Sequence, residues 1–365
     1  MRPTRPIASL AWLLAALTAA GLDAAQTIPP GVARKLVESR SKEPAKAPPT
    51  SRPAEPSRPP STAAGRPAIV STAPAPHESR YGKLHRILKF TPAKPQQIRA
   101  FHQRAHDWAR QTRQTITKDL RLVETAHFLI FTTWPVREHR SLAARCEAMY
   151  RALCRQFDIP ATRNIWAGKL PVFMFWQREH YAAFTTTIDK VKAVRAGGYN
   201  VQTSAGFTYV VLSHTKTKTW FYEVLIHEST HAFLGRYLTN RIIPRWANEG
   251  LAEYMAAKLV KNARAGERWL PATRLAVARN MDVSAVFSGQ ALSPLGYGIS
   301  QSLVRYMAAS NRKGLIQFIR LMKEGKSEKD ALRESMNLTH AQLAENWRAW
   351  ARRTALSPPT GVRRR

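Results

Sequence analysis

The sequence predicts an α+β fold, with a mixed sheet in the N-terminal part of the folded region and a mostly helical C-terminal half. Three observations carry this. Short apolar runs suited to buried strands fall between residues 126 and 213, and apolar positions at helical spacing dominate after residue 218. Strands first and helices later argue for an α+β architecture. The stretch 81–355 is long enough for one large core or two small ones, whereas the first 80 residues hold neither kind of pattern.

Residues 1–25 read as a secretory signal peptide, which implies export to a periplasmic or extracellular space. Arg2 and Arg5 give a positive start, Ile7–Ala20 is an apolar run, and Ala24 and Ala25 offer small residues for cleavage. An uncleaved N-terminal anchor is the alternative. No later segment reaches the about 18 consecutive apolar residues of a membrane-spanning helix. Residues 26–80 carry twelve of the 24 prolines, mixed with Ala, Ser, Thr and Arg. Such a composition cannot bury enough apolar surface to offset its conformational entropy, so it reads as a disordered linker.

Beyond it, the pattern predicts a helix over 96–118, a strand over 126–133, a helix over 141–157 and strands over 170–176 and 206–213. Leu315, Phe318, Ile319 and Met322 form an apolar helical face that Gly325 terminates. Ser327 with Asp330, and Thr339 with Gln342, resemble capping boxes for two further helices, the last carrying Leu343, Trp347 and Trp350. Residues 356–365 are a basic tail. Cys146 and Cys154, the two cysteines, fall on one helix about 12 Å apart along its axis. A disulfide needs Cα atoms within about 7 Å, so two separate buried thiols are expected.

The chemistry concentrates in His227-Glu228-Ser229-Thr230-His231. On a helix, His227 and His231 stand one above the other and their imidazoles can converge on one ion. Glu228 is rotated by about 100° and can instead reach a water in the ion's open position. Two imidazole nitrogens and a carboxylate base suit zinc-assisted hydrolysis. Phe221, Val224, Leu225 and Ile226 before the motif and Ala232, Phe233 and Leu234 after it predict a largely buried helix, which Gly235 could help end.

A second, independent feature lies downstream. Pro244-Arg245-Trp246-Ala247-Asn248-Glu249-Gly250-Leu251-Ala252-Glu253-Tyr254 sets two carboxylates one helical turn apart, and seventeen residues separate His231 from Glu249. That gap fits a helix end, a loop and the start of an antiparallel helix. Glu249 is the natural third ligand, and Glu253 could accept the other N–H of a ligating histidine. An elongated H-E-x-x-H-x-x-G-x-x-H arrangement would need glycine at 234 and histidine at 237. The chain has Leu234 and Tyr237, so that arrangement is excluded.

Together, L-I-H-E-S-T-H-A-F at 225–233 and P-R-W-A-N-E-G-L-A-E-Y at 244–254 resemble the gluzincins, specifically the peptidase-MA-like proteins. The second stretch is similar to the W-x-N-E-G-x-A segment of the aminopeptidase N family. The resemblance spans roughly residues 120–352 in layout, and its specific part is the two motifs. It implies a zincin-like catalytic domain, zinc held by His227, His231 and Glu249, Glu228 as the base, and Tyr297 near the oxyanion. It also implies that the last strand before the zinc helix, 206–213, edges the cleft and can pair with substrate. The chain departs from the aminopeptidase pattern: Gly197-Gly198-Tyr199-Asn200 stands where those enzymes carry G-x-M-E-N, so recognition of a free amino terminus is not implied.

Charge is the other unusual feature. There are 57 Lys and Arg against 24 Asp and Glu, a formal charge of +33. The surplus is not a property of the leader, because 46 of the basic and 19 of the acidic residues lie beyond residue 80. Such a surface attracts polyanions. No nucleic-acid recognition motif or basic stripe interleaved with aromatics is present, which disfavours nucleic acid; export favours anionic cell-envelope polymers or lipids, and the alternative is an arginine-rich composition that reflects no partner. The expectation is an exported zinc metallohydrolase acting on peptide or protein substrates. Its rival is a non-catalytic, basic envelope-binding protein with a structural zinc site.

Overall fold

A computed structural model describes residues 69–71, 93–191, 196–203, 206–215, 217–260, 268–289 and 292–355. The expected signal segment, the basic tail and all of the expected linker except 69–71 lie outside the described residues. The architecture is mixed α+β, as the pattern predicts.

The sheet has the strands β1 (Ile69–Ser71), β2 (Arg121–Glu124), β3 (Phe128–Thr132), β4 (Leu170–Phe175), β5 (Gly198–Thr203) and β6 (Thr208–Ser213), in the order β1-β5-β6-β4-β3-β2. β3, β4 and β6 run parallel, and the other three pair antiparallel. Their sequences, FLIFT, LPVFMF and TYVVLS, are buried at every position. Continuous burial is what a parallel strand covered on both faces requires. Alternation then sorts the side chains. Phe128, Ile130, Val172, Met174, Val210 and Leu212 join the larger core, and Leu129, Phe131, Phe173, Phe175, Tyr209 and Val211 join the smaller one.

The smaller core is closed by α1 (Pro95–Thr115) and α3 (Arg178–Ala183), through Ala105, Ala109 and Tyr181. The larger is closed by α2 (Val136–Gln156) and α4 (Lys218–Arg236). α2 begins five residues before the helix expected at 141, because Pro135 stands at its N-cap with extended ψ and Val136 can start the first turn. Cys146 and Cys154 are both buried and free on it.

After α4 the chain is helical: α5 (Arg245–Leu259), α6 (Leu270–Ala278), α7 (Ser284–Phe287), α8 (Pro294–Ser310), α9 (Arg312–Glu324), α10 (Glu328–Met336) and α11 (His340–Ala355). The expected stops and starts are in place. Gly325 takes φ 112° at the end of α9, the Ser327 hydroxyl accepts from the Asp330 amide, and Thr339 and Gln342 cap each other. Among the described residues, no helix is long and apolar enough to cross a membrane.

Three expectations are corrected. The strand at 206–213 does not edge the sheet: β6 lies between β4 and β5. Residues 197–200, read as a motif position, run into a full strand, Gly198–Thr203, and β1 adds outside it, within the span expected to be linker. Gly235 does not end α4, which continues to Arg236. A Cβ at Gly235 would fall 1.9 Å from Gln202 Oε1, and Gln202 Nε2 donates to the Gly235 carbonyl at 2.6 Å. The Gln202 side chain lies directly over Gly235 and binds its carbonyl.

The α4–α5 turn is pinned from outside. Lys323, buried on α9, donates through Nζ to the Arg241 carbonyl at 2.6 Å, and the Thr239 hydroxyl donates to the Lys323 carbonyl. Trp246, at the start of α5, donates to Glu328 at 2.6 Å while its ring packs on Phe287 and Phe318. α5 and α8 approach closely at Gly250, where a Cβ would fall 2.5 Å from the Ser300 carbonyl oxygen. These contacts set where α5 and α8 present their side chains to α4.

Candidate metal centre

α4 is buried on most of its circumference, from Phe221 and Leu225 through Ala232 and Phe233. It starts where the Thr217 hydroxyl accepts from the Trp220 amide. Its second half carries the H-E-x-x-H residues, and the helical spacing brings His227 Nε2 within 3.0 Å of His231 Nε2. α5 then supplies Glu249, whose Oε2 lies 3.5 Å from His227 Nε2 and 3.4 Å from His231 Nε2.

These three residues could hold a metal ion. Their separations fit one: four ligands at about 2.05 Å in a tetrahedron stand about 3.3 Å apart. Among the described residues no fourth histidine, cysteine or carboxylate joins them. Two nitrogens and one carboxylate oxygen are a donor set suited to a divalent transition-metal ion.

The unused nitrogen of each imidazole is also engaged. His231 Nδ1 lies 3.1 Å from Asn248 Oδ1, and His227 Nδ1 lies 3.3 Å from Glu253 Oε1. An acceptor at Nδ1 fixes the proton there and leaves Nε2 free as a ligand. Glu253 is itself held from behind, because Trp269 Nε1 donates to its Oε2 at 2.7 Å.

The electrostatics point the same way. Burial opposes charge on His227, yet Glu249 and Glu253 outweigh it and raise its pKa well above the usual histidine value. Burial would raise the Glu249 carboxyl, but His231 and His227 hold it below the usual carboxylate range. Glu253 is lowered against its burial by His227 in the same way. Buried anions and imidazoles that bind each other this strongly form a site whose proton a divalent cation can replace.

Glu228 does not join the cluster. Burial, the largest influence, raises its pKa against the pull of His227 and His231. Its backbone carbonyl accepts from Asn200 Nδ2 of β5 at 3.3 Å. Tyr297 lies in the first turn of α8, 7% exposed, with its ring stacked on Trp269 and its hydroxyl accepting from Arg245 Nη2 at 3.3 Å. Burial raises its pKa and the Glu249 carboxylate adds to the rise, so it is a neutral donor.

The structure therefore brings His227, His231, Glu249 and Glu253 into direct contact, with Glu228 on the same helix and Tyr297 beside α5. Four further residues were not singled out from the sequence. Asn248 lies inside the quoted motif, one position before Glu249, and helical geometry could have flagged it. Arg245, in the same motif, shares the helical face of Glu249 and Glu253, whereas Asn200 and Trp269 carry no such signal, because they reach the site from other elements. No family model matches the chain, and no curated protein matches it either.

Proposed function

We propose that the protein is an exported zinc-dependent metallohydrolase that cleaves amide bonds of peptide or protein substrates with water. The observation that supports this reading best is the convergence of His227, His231 and Glu249, with a carboxylate, Glu228, one residue along the same helix from His227. His227, His231 and Glu249 would hold the zinc, and Glu253 and Asn248 would keep the two imidazoles in the ligating tautomer. When bound, zinc supplies Lewis acidity toward a carbonyl oxygen and lowers the pKa of water. Glu228 takes the proton from the attacking water and passes it to the departing amine. The Tyr297 hydroxyl donates to the carbonyl oxygen as negative charge builds there. The charge surplus favours an anionic cell-envelope surface as the place where the enzyme works.

The test is a pair of variants of the purified, zinc-loaded chain assayed against a peptide library. Glu228→Gln keeps about one zinc per chain and loses hydrolysis, because the amide preserves shape and cannot accept the proton. A His227→Ala, His231→Ala double variant loses the zinc. Equal zinc in the double variant, or wild-type turnover by Glu228→Gln, would end this reading.

A further inference from the structure

Arg245 opens α5, one turn before Glu249 and two before Glu253 on the same face of the helix. Nη2 of its guanidinium donates to the Tyr297 hydroxyl. Nη1 is buried and has no hydrogen-bond partner among the described residues. A guanidinium stays charged at any pH a protein survives. Leaving one arm of it buried and unpaired is unfavourable, and such a group calls for an explanation, of which a ligand is one.

The surrounding charges say what kind of ligand. Among the described residues, the two carboxylates that follow Arg245 on the same face of α5 are engaged elsewhere: Glu249 with both imidazoles, and Glu253 with His227 and Trp269. None of the described ion pairs includes Arg245. Apart from Glu228, which the proposed reaction uses, neither of these carboxylates is left over to bind a substrate's free amine, while one cationic donor of Arg245 is left over to bind an anion. In a peptide that anion is a carboxylate, and the planar guanidinium fork matches its geometry.

On the metallohydrolase reading, we propose that Arg245 is a specificity-determining residue that binds a carboxylate of the substrate close to the scissile bond through its free Nη1. Two sources share this chemistry, a free C-terminal α-carboxylate and an Asp or Glu side chain. Arg245 contributes affinity for the substrate, and the metal and Glu228 are independent of it.

The experiment uses the full chain, zinc-loaded and carrying Glu228→Gln, so that bound peptide is not cut. Three probes are compared by calorimetry: N-acetyl-Ala-Phe as the free acid, the same peptide as its C-terminal amide, and N-acetyl-Ala-Glu-amide. A carboxylate-bearing probe is expected to bind about ten- to a hundredfold more tightly than the neutral amide, the usual worth of a charge-assisted hydrogen bond. Preference for the free acid identifies the terminal carboxylate, and preference for the Glu peptide identifies an acidic side chain. Adding Arg245→Gln should erase the preference while zinc content stays at about one per chain. Equal binding of all three probes, no measurable binding of either carboxylate probe, or a preference that survives Arg245→Gln would overturn the proposal. Its failure is distinguishable from that of the parent reading. Wild-type hydrolysis of amidated peptides without carboxylate preference removes the role of Arg245 alone, and an Arg245-dependent preference without any hydrolysis removes the metallohydrolase and leaves a carboxylate site.

Discussion

Replacing Glu253 with glutamine tests whether the metal centre depends on the groups behind its ligands. The wild-type carboxylate presents two acceptor oxygens to two buried donors, His227 Nδ1 at 3.3 Å and Trp269 Nε1 at 2.7 Å. Glutamine has the same shape but one acceptor and an NH2 group, so it can satisfy one of the two donors and must turn a donor toward the other. If its oxygen stays on His227, the Trp269 N–H loses its partner; if it turns to Trp269, His227 loses the group that fixes its tautomer. Either way the negative charge that supports the imidazole is gone. Losing such a partner typically weakens metal affinity by about ten- to a hundredfold, which is about 1.4–2.8 kcal/mol. Competition of the protein for zinc against a chromophoric chelator measures this directly, with circular dichroism to show that the variant is folded. Trp269→Phe is the companion: it removes the indole N–H, leaves a smaller aromatic ring facing Tyr297, and should weaken zinc binding less than Glu253→Gln does. A folded Glu253→Gln protein whose zinc affinity lies within about twofold of wild type, well under the range above, would show that Glu253 does not orient the ligand.

Tyr297→Phe is expected to lower kcat by roughly ten- to a thousandfold, with little change in KM or zinc content, as for a donor used mainly in the transition state. Unchanged kcat in steady-state assays would remove Tyr297 from the reaction, and lost stability with intact specific activity would mark it as a packing residue. Lys323→Met addresses the scaffold instead. Burial, helped by Arg236 and Arg241, lowers the Lys323 pKa from 10.5 to about 7 in the folded chain. Between those values the unfolded chain binds the extra proton, so stability rises with pH from about 7 toward 10.5, and the penalty for burying the charge is full below 7. Denaturant titrations of the metal-free protein should therefore find Lys323→Met more favourable relative to wild type at pH 6 than at pH 10, by on the order of 3–5 kcal/mol. A stability difference independent of pH would refute the assignment.

Much of the site was legible because it is local. The meeting of His227 and His231 follows from 3.6 residues per turn, as does the placement of Glu249 and Glu253 on one face of the next helix. Helix ends at Ser327, Thr339 and Gly325 follow from capping chemistry within four residues. The cysteines stayed apart for the same reason, since one helix fixes their spacing. Glu249 needed one further step, the antiparallel return of α5, and the seventeen-residue gap was enough to suggest it.

What the tertiary structure alone decided was which distant elements meet. Strand order is not encoded in strand pattern: TYVVLS reads as a buried strand wherever it sits, and the hydrogen bonds of β5 on one side and β4 on the other made it internal. Gly235 looked like a helix stop from its neighbours, and only the tertiary structure shows that the Gln202 side chain of β5 lies over it and binds its carbonyl inside the helix. Trp269 reaches Glu253 from α6, and Arg245 meets Tyr297 across the α5–α8 contact, over separations of 16 and 52 residues. A local sequence pattern reports what a residue sees within a turn or two of its own helix or strand. Contacts made across such separations depend on the packing of whole elements, and no short stretch of the chain carries that information.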